Sequence, residues 1–257
     1  MHQARKRFGQ NFLIDQGIID RIIRAIHPQA HEHLLEIGPG QGAITALLLQ
    51  SCPNLNVVEL DRDLIPILKE KFQAYPELQI HQADALKFDF SNLKAPLRVV
   101  GNLPYNISTP LIFKLLSYQG LISDMHFMLQ KEVVERMASC PGEKSYGRLS
   151  IMCQYHCEIE HLFDVAPECF RPIPKVDSAI VRLRPHAQKV ITAKNPQWLD
   201  TVVKSAFQQR RKTLRNVFKN LIEADIIEQV TGSLSLRPEN LSVEQYVELA
   251  NLSQPPK

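Results

Sequence analysis

The sequence predicts an α/β fold, a mostly parallel sheet with helices on both faces, followed by a small helical domain. Three observations predict it. Strand-like and helix-like hydrophobic patterns alternate from residue 33 to residue 130. A glycine-rich turn, "GPGQG" (38–42), stands between the first of those strands and its helix. Beyond residue 196 strand patterns cease and short amphipathic helices take over.

The elements follow in order. "DQGIIDRIIRAIH" (15–27) carries apolar residues at 18, 19, 22, 23 and 26, a helical spacing with Asp15 as its N-cap and Pro28 as its stop. "HLLEI" (33–37) reads as a strand, "AITALLLQ" (43–50) as a helix and "LNVVEL" (55–60) as a strand. "RDLIPILKEKF" (62–72) reads as a helix that holds Pro66 in its first turns. "LQIHQ" (78–82) and "LRVV" (97–100) are strands, the latter stopping at Gly101. "STPLIFKLLSY" (108–118) is a helix and "DMHFMLQ" (124–130) a strand. A helix at 148–156 and strands at 158–165 and 178–184 follow. The segment 185–196 has few large apolar residues and is bounded by prolines, which places the domain boundary there: residues 1–185 form the catalytic domain and 186–257 a helical one. The tail "SQPPK" is expected to fray.

Composition removes several classes. With 44% hydrophobic and 22% charged residues in 257, the chain reads as an ordinary soluble globular protein. No window is long and apolar enough to span a bilayer, and the basic start "MHQARKRFGQNFL" lacks the apolar stretch of a secretory signal. Five cysteines form no disulfide framework, so a reduced, cytoplasmic protein is expected. "CQYHCEIEH" (153–161) lacks a second well-spaced ligand pair, so no metal site is expected. No segment suggests an oligomer surface, and a monomer is expected.

The glycine turn narrows the ligand. Its G-P-G-Q-G spacing departs from the dinucleotide pattern G-x-G-x-x-G, and Pro39 limits how the loop could wrap a pyrophosphate. Gly38 and Gly40 still allow close approach of a ligand to the backbone. Glu59 ends the next strand, where a carboxylate can accept both ribose hydroxyls of a nucleoside; Asp61 is better placed to cap the following helix. Asp84 follows the third strand and could accept from an adenine amino group. A single acid of this kind is usually a surface charge, but acids in order after successive strands form a pattern. A nucleoside without an essential phosphate grip is implied, and S-adenosylmethionine fits it better than NAD.

"GNLPY" (101–105) supplies a reaction. The exocyclic nitrogen of adenine is a poor nucleophile because its lone pair is delocalised into the ring. Two hydrogen-bond acceptors on its amino hydrogens localise that pair. Asn102 offers a side-chain oxygen and Leu103 a main-chain carbonyl, while Pro104 fixes the turn and biases Leu103 toward an extended backbone. Tyr105 offers a ring on which a flipped base can stack. Asn and Pro are also ordinary turn residues; the catalytic reading prevails because the motif follows a strand and is preceded by a nucleoside-type loop.

With these residues in view, the chain resembles the ribosomal RNA adenine N6,N6-dimethyltransferases, most closely their bacterial small-subunit branch. "RKRFGQNFL", "EIGPGQGAIT", "VVELDRDL", "GNLPYNISTPL", "DMHFMLQKEVVERM", "YGRLS", "FRPIPKVDSAIVRLRP" and "FQQRRKTLRN" carry the resemblance and span nearly the whole chain in order. The resemblance implies a Rossmann-like S-adenosylmethionine-dependent methyltransferase sheet and transfer of two methyls to each of two adjacent adenosines. These lie in a hairpin loop near the 3′ end of 16S rRNA, in the immature 30S subunit, and S-adenosylhomocysteine is the product. It further implies that Asn11 and Leu13 close over the cofactor, that Gly38 meets its methionine part, that Glu59 holds the ribose and Asp84 the adenine. Glu36 would reach the methionine amino group through water, and Asn102 would stand where cofactor and target meet. Phe170 would be a second stacking wall opposite Tyr105.

The stretch 204–220 holds six Lys/Arg and no acid, and "RKR" (5–7) is a second basic knot. Arg210, Arg211, Lys212 and Arg215 are expected to grip phosphates from one amphipathic helix whose other face is Phe207, Leu214, Val217 and Phe218. Two other functions fit the same family pattern less well. One is the 23S rRNA methyltransferase of macrolide resistance; the other is a ribosome-assembly factor without catalysis, against which the intact Asn102 and glycine loop argue.

Overall fold

The computed structural model describes residues 11–118, 120–188 and 191–255; the basic knot at 5–7 and the last two residues of the tail lie outside them. The chain divides into two compact units. One runs through Val134 and resumes at Ile159–Pro185; the other comprises Glu135–Glu158 and the chain from His186 onward. A division does fall at 185/186, but residues 135–158, expected in the catalytic domain, group with the C-terminal helices.

The first unit opens with β1 (Phe12–Leu13) and α1 (Gln16–Ile26). The α1 stripe buries Ile19, Ile22 and Ile26, and the Asp15 carboxylate accepts from Ile18 N–H at 2.8 Å as its N-cap. The βα alternation continues through β2 (His33–Ile37), α2 (Ala43–Ser51), β3 (Leu55–Glu59), α3 (Leu64–Lys71) and β4 (Gln79–Gln82). Then come β5 (Leu97–Asn102), α4 (Ser108–Leu116) and β6 (Ile122–Gln130). Pro66 sits in the first turn of α3, where no intrahelical acceptor awaits its missing N–H. After α5 (Lys131–Ala138) and α6 (Arg148–His156), the chain returns through β7 (Cys157–Val165), β8 (Phe170–Arg171) and β9 (Ser178–Pro185).

Seven strands form one sheet in the order β4-β3-β2-β5-β6-β9-β7. β2, β3, β4, β5 and β6 are mutually parallel and β9 is antiparallel to β6. Leu34, Leu35, Val57, Val99 and Val100 are all buried, the continuous apolar reading of strands covered on both faces. From β2 the chain builds outward to β3 and β4, then crosses to β5 on the other side. The direction of winding thus reverses between β2 and β5, and the crevice beyond the carboxyl ends of these two strands is where such sheets take ligands.

The expected strand end at Gly101 is one residue short. β5 pairs with β6 through Asn102, which lies opposite Met128, while Gly101 lies opposite Ile37 of β2. A Cβ on Gly101 would come within 2.5 Å of the Ile37 carbonyl oxygen, so only glycine lets β5 pass β2 and carry Asn102 to the sheet's edge. β1, β8 and α5 were not anticipated. β1 and β8 form a separate two-stranded antiparallel pair.

In the second unit the later half of α5 and α6 are joined by α7 (Pro196–Gln208), α8 (Leu214–Val217), α9 (Ala224–Thr231) and α10 (Val243–Leu252). Trp198, Leu199, Val202, Val203, Tyr246, Val247 and Leu249 form its buried interior. The single basic helix expected over 204–220 is broken: α7 ends at Gln208, and a turn held by Lys212 N–H to Gln209 O precedes α8.

Candidate active site

A cavity of about 500 Å³ opens at the carboxyl ends of β2, β3 and β5. The sheet register brings its walls together: Ile37 lies beside Val58 on one flank and Gly101 on the other. Among the predicted residues, Asn11, Leu13, Glu36, Gly38, Gly40, Glu59, Asp84, Asn102, Leu103, Pro104 and Tyr105 all line it. Phe12, Ile14, Leu60 and Lys71 line it as well and were not foreseen.

The floor is the glycine turn. Gly42 has φ +75, and a Cβ there would meet the Phe72 ring at 2.6 Å, so the turn and α3 are packed too closely for any side chain. The Lys71 ammonium, on α3, donates to the carbonyl oxygens of Gln41 at 2.8 Å and Gly42 at 3.2 Å, pinning the turn from the same side. A regular helix pattern gives no signal that its last lysine turns back onto a loop thirty residues earlier.

The acids take distinct settings. Glu59 accepts from Asp61 N–H at 2.8 Å and Gly40 N–H at 3.2 Å. Burial holds its carboxyl above the usual carboxylate range, against the pull of those two donors. Asp61 accepts from Asp63 N–H at 3.2 Å and its carbonyl accepts from Leu64 N–H, so it holds the turn before α3, but the residue at the N-cap is Asp63 and not Asp61 as expected. Asp84 accepts from Leu86 N–H at 2.9 Å, and its loop is held by Lys114, whose ammonium donates to the carbonyls of Ala85 and Phe88. Glu36 is 2% exposed, accepts from the Thr45 hydroxyl at 2.6 Å, and is pushed by burial up to about 7.

The lip of the cavity is built from three distant segments. The Asn102 amide nitrogen donates to the Asn11 carbonyl at 3.1 Å, which fixes the side chain and identifies Oδ1 as the free end of the amide's acceptor–donor pair. The Tyr105 and Ser178 hydroxyls are 2.9 Å apart, tying the ring to β9. Burial raises the Tyr105 phenol above its ordinary value, so it stays neutral.

Phe170 departs from its expected role. It is 1% exposed, pairs with Leu13, belongs to the buried core cluster that also holds Ile19 and Ile22, and does not line the cavity. The reason is register: Leu13 pairs with Phe170 and Phe12 with Arg171, so Phe12 is the aromatic ring that reaches the cavity, within 3.1 Å of where a Gly40 Cβ would stand. A stacking wall at Phe170 is therefore withdrawn.

The basic stretch is likewise divided. Arg211, Lys212 and Arg215 are exposed. Arg210 is half-buried, donates to the Glu143 carbonyl at 3.3 Å and lies 3.7 Å from the Glu239 carboxylate, so it braces its own unit. Leu214, Val217 and Phe218 are buried, as the apolar face required.

Comparison with known proteins points one way. The family model described as ribosomal RNA adenine dimethylase matches residues 1–254. A protein of Saccharophagus degradans named ribosomal RNA small subunit methyltransferase A is 62% identical over 99% of this chain and 96% of its own length. One of the same name from Pseudomonas putida is 63% identical over 97% and 95%. Among solved structures, a dimethyladenosine transferase from Plasmodium falciparum matches with TM-score 0.81 and 29% identity, covering 93% of this chain and 95% of that one. The 23S rRNA methyltransferase ErmE matches with TM-score 0.72 and 25% identity, covering 93% and 98%.

Proposed function

This chain belongs to the ribosomal RNA adenine dimethylase family, and from that premise we propose that it dimethylates N6 of two adjacent adenosines in the 3′-terminal hairpin loop of 16S rRNA within the immature 30S subunit, using S-adenosylmethionine. The observation that carries the reading is the Asn102 amide. Its nitrogen is committed to Asn11, so its oxygen is the end offered to a target amino group at the lip of a nucleoside-sized cavity.

The cavity fits the donor by its chemistry. Two buried carboxyls and one half-buried carboxylate stand at or near the carboxyl ends of three neighbouring strands, and their described hydrogen bonds come from neutral donors: Thr45 to Glu36, two backbone N–H groups to Glu59, and Leu86 N–H to Asp84. Such a wall suits a ligand with hydroxyl and amino donors and positive charge. Glu59 would hold the ribose hydroxyls and Asp84 the adenine amino group. Gly38 and Gly40 allow the ligand against the backbone, and Asn11 and Leu13 close over it. When bound, the donor supplies an electrophilic methyl on a sulfonium.

The chain's own work is positioning. Asn102 Oδ1 and the Leu103 carbonyl accept the two N6 hydrogens and localise the lone pair; Tyr105, held by Ser178, stacks on the flipped base. After the first transfer one N–H remains, so a single acceptor suffices for the second. The departing proton needs no side-chain base, because methylated N6 is strongly acidic and passes it to water. Arg211, Lys212 and Arg215 supply exposed positive charge for phosphates, and the enzyme acts as a cytoplasmic monomer.

The test is transfer of labelled methyl from S-adenosylmethionine to 30S particles lacking the modification, followed by digestion and mapping. Dimethyladenosine at two adjacent positions near the 16S 3′ end is expected. Label confined to 23S rRNA would overturn the substrate, and no label despite donor binding would overturn the catalytic reading.

A further inference from the structure

Glu36 is not used by the mechanism above, yet it is the most enclosed ionisable group of the cavity wall. It sits one residue before the carboxyl end of β2, between Val57 of β3 and Val100 of β5, and is 2% exposed. Each element around it offers little to a carboxylate. From α2 comes one neutral donor, the Thr45 hydroxyl at 2.6 Å. From the end of β3 comes a like charge, Glu59, and from α3 the cation Lys71, whose ammonium is bonded to the Gln41 and Gly42 carbonyls. β5 presents Val100.

We propose that Glu36 holds a proton in the free protein on the acid side of neutrality and gives it up as the cationic methyl donor enters the cavity, so that donor binding and proton release are coupled. The inference rests on the reading of this cavity as the S-adenosylmethionine site. Burial in an apolar sheet disfavours the carboxylate, and Glu59 adds to the cost; the donor brings a net positive charge that favours it. Burial raises Glu36 to about 7, so both forms are populated where the enzyme works. The sign follows. The free protein holds the proton below about pH 7 and the complex does not, so the donor's affinity falls as pH falls. If the complex titrates well below pH 6, about half a proton is released at pH 7 and nearly one at pH 6, with affinity about fivefold weaker at the lower pH.

The experiment is titration calorimetry of the whole chain with S-adenosylmethionine between pH 6 and 7, in cacodylate and in imidazole, whose ionisation enthalpies differ. The difference in observed heat counts protons without reference to catalysis. Wild type is expected to release protons in that range. Glu36→Gln, which keeps an acceptor for Thr45, is expected to bind with buffer-independent heat. Thr45→Val removes the bond that favours the carboxylate, so its release profile moves to higher pH. Buffer-independent heat in wild type overturns the inference and leaves the donor site standing. So does a Thr45→Val profile that matches wild type, or a Glu36→Gln variant that releases as many protons. No binding heat from wild type at any pH refutes the donor site itself, and the linkage with it.

Discussion

Asn102→Ala isolates the acceptor on which the chemistry depends. In the transition state N6 gains positive charge, so a hydrogen bond from its amino group strengthens as the methyl transfers. A bond to a charged partner is worth about 1.5–3 kcal/mol, which converts to a loss of roughly 10- to 150-fold in the rate of the chemical step. The same substitution removes one neutral bond, Asn102 to the Asn11 carbonyl at 3.1 Å. That costs about 0.5–1.5 kcal/mol of stability, a fall of a few degrees in Tm for a chain of this size. Catalysis should thus suffer far more than folding. Asn102→Asp retains an acceptor but turns a second oxygen toward the Asn11 carbonyl, where the amide had donated. Its rate should lie between those of Asn and Ala. The assay is single-turnover methyl transfer to immature 30S particles, with donor affinity and Tm measured on the same preparations. An Ala variant within twofold of wild type would refute the acceptor argument, as would a loss explained wholly by weaker donor binding.

Gly101→Ala brings a methyl within 2.5 Å of the Ile37 carbonyl oxygen; thermal unfolding should show a loss of about 1–3 kcal/mol, together with weaker donor binding as β5 shifts and moves Asn102. Alanine at Arg211, Lys212 and Arg215 together should weaken binding to immature 30S and flatten its salt dependence by roughly 2–3 units of slope, with Tm nearly unchanged; an unaltered salt slope would remove this surface from the RNA contact. Because burial keeps the Tyr105 phenol neutral, the single-turnover rate at saturating donor should stay flat from pH 7.5 to 9. A rate rising tenfold per pH unit there would indicate a titrating base and contradict the mechanism.

The parts of this fold legible in the sequence are those written in local pattern. Helix α1 declares itself by its stripe and by Asp15, and β2, β3 and β5 by their adjacent apolar pairs, Leu34-Leu35, Val57-Val58 and Val99-Val100. The acids at the strand ends were legible for the same reason, since a parallel sheet brings every carboxyl end to one side. What stayed hidden depends on partners far along the chain. Nothing local in "FL" (12–13) or "FR" (170–171) tells that they pair, and each strand is too short for alternation to show. Nor does "KEVVERMA" (131–138) reveal that its later residues group with helices more than fifty positions on.

The case of Phe170 shows how little separates the two outcomes. In a two-residue strand pair, side chains point alternately to opposite faces, so a shift of one residue exchanges core for cavity. Leu13 opposite Phe170 sends that ring into the buried core, and Phe12 opposite Arg171 takes the place over Gly40. The exchange has a mechanical consequence. β1 is held to β8 by strand pairing, Ile14 N–H donates to the Cys169 carbonyl at 2.9 Å, and the Asn11 carbonyl holds Asn102. One short segment, residues 11–14, therefore covers the glycine turn, orients the proposed acceptor and is anchored by a buried phenylalanine. Loosening that anchor should disturb donor binding and the orientation of Asn102 together. Phe170 thus lies in the core on the strand that pairs with the segment facing the cavity.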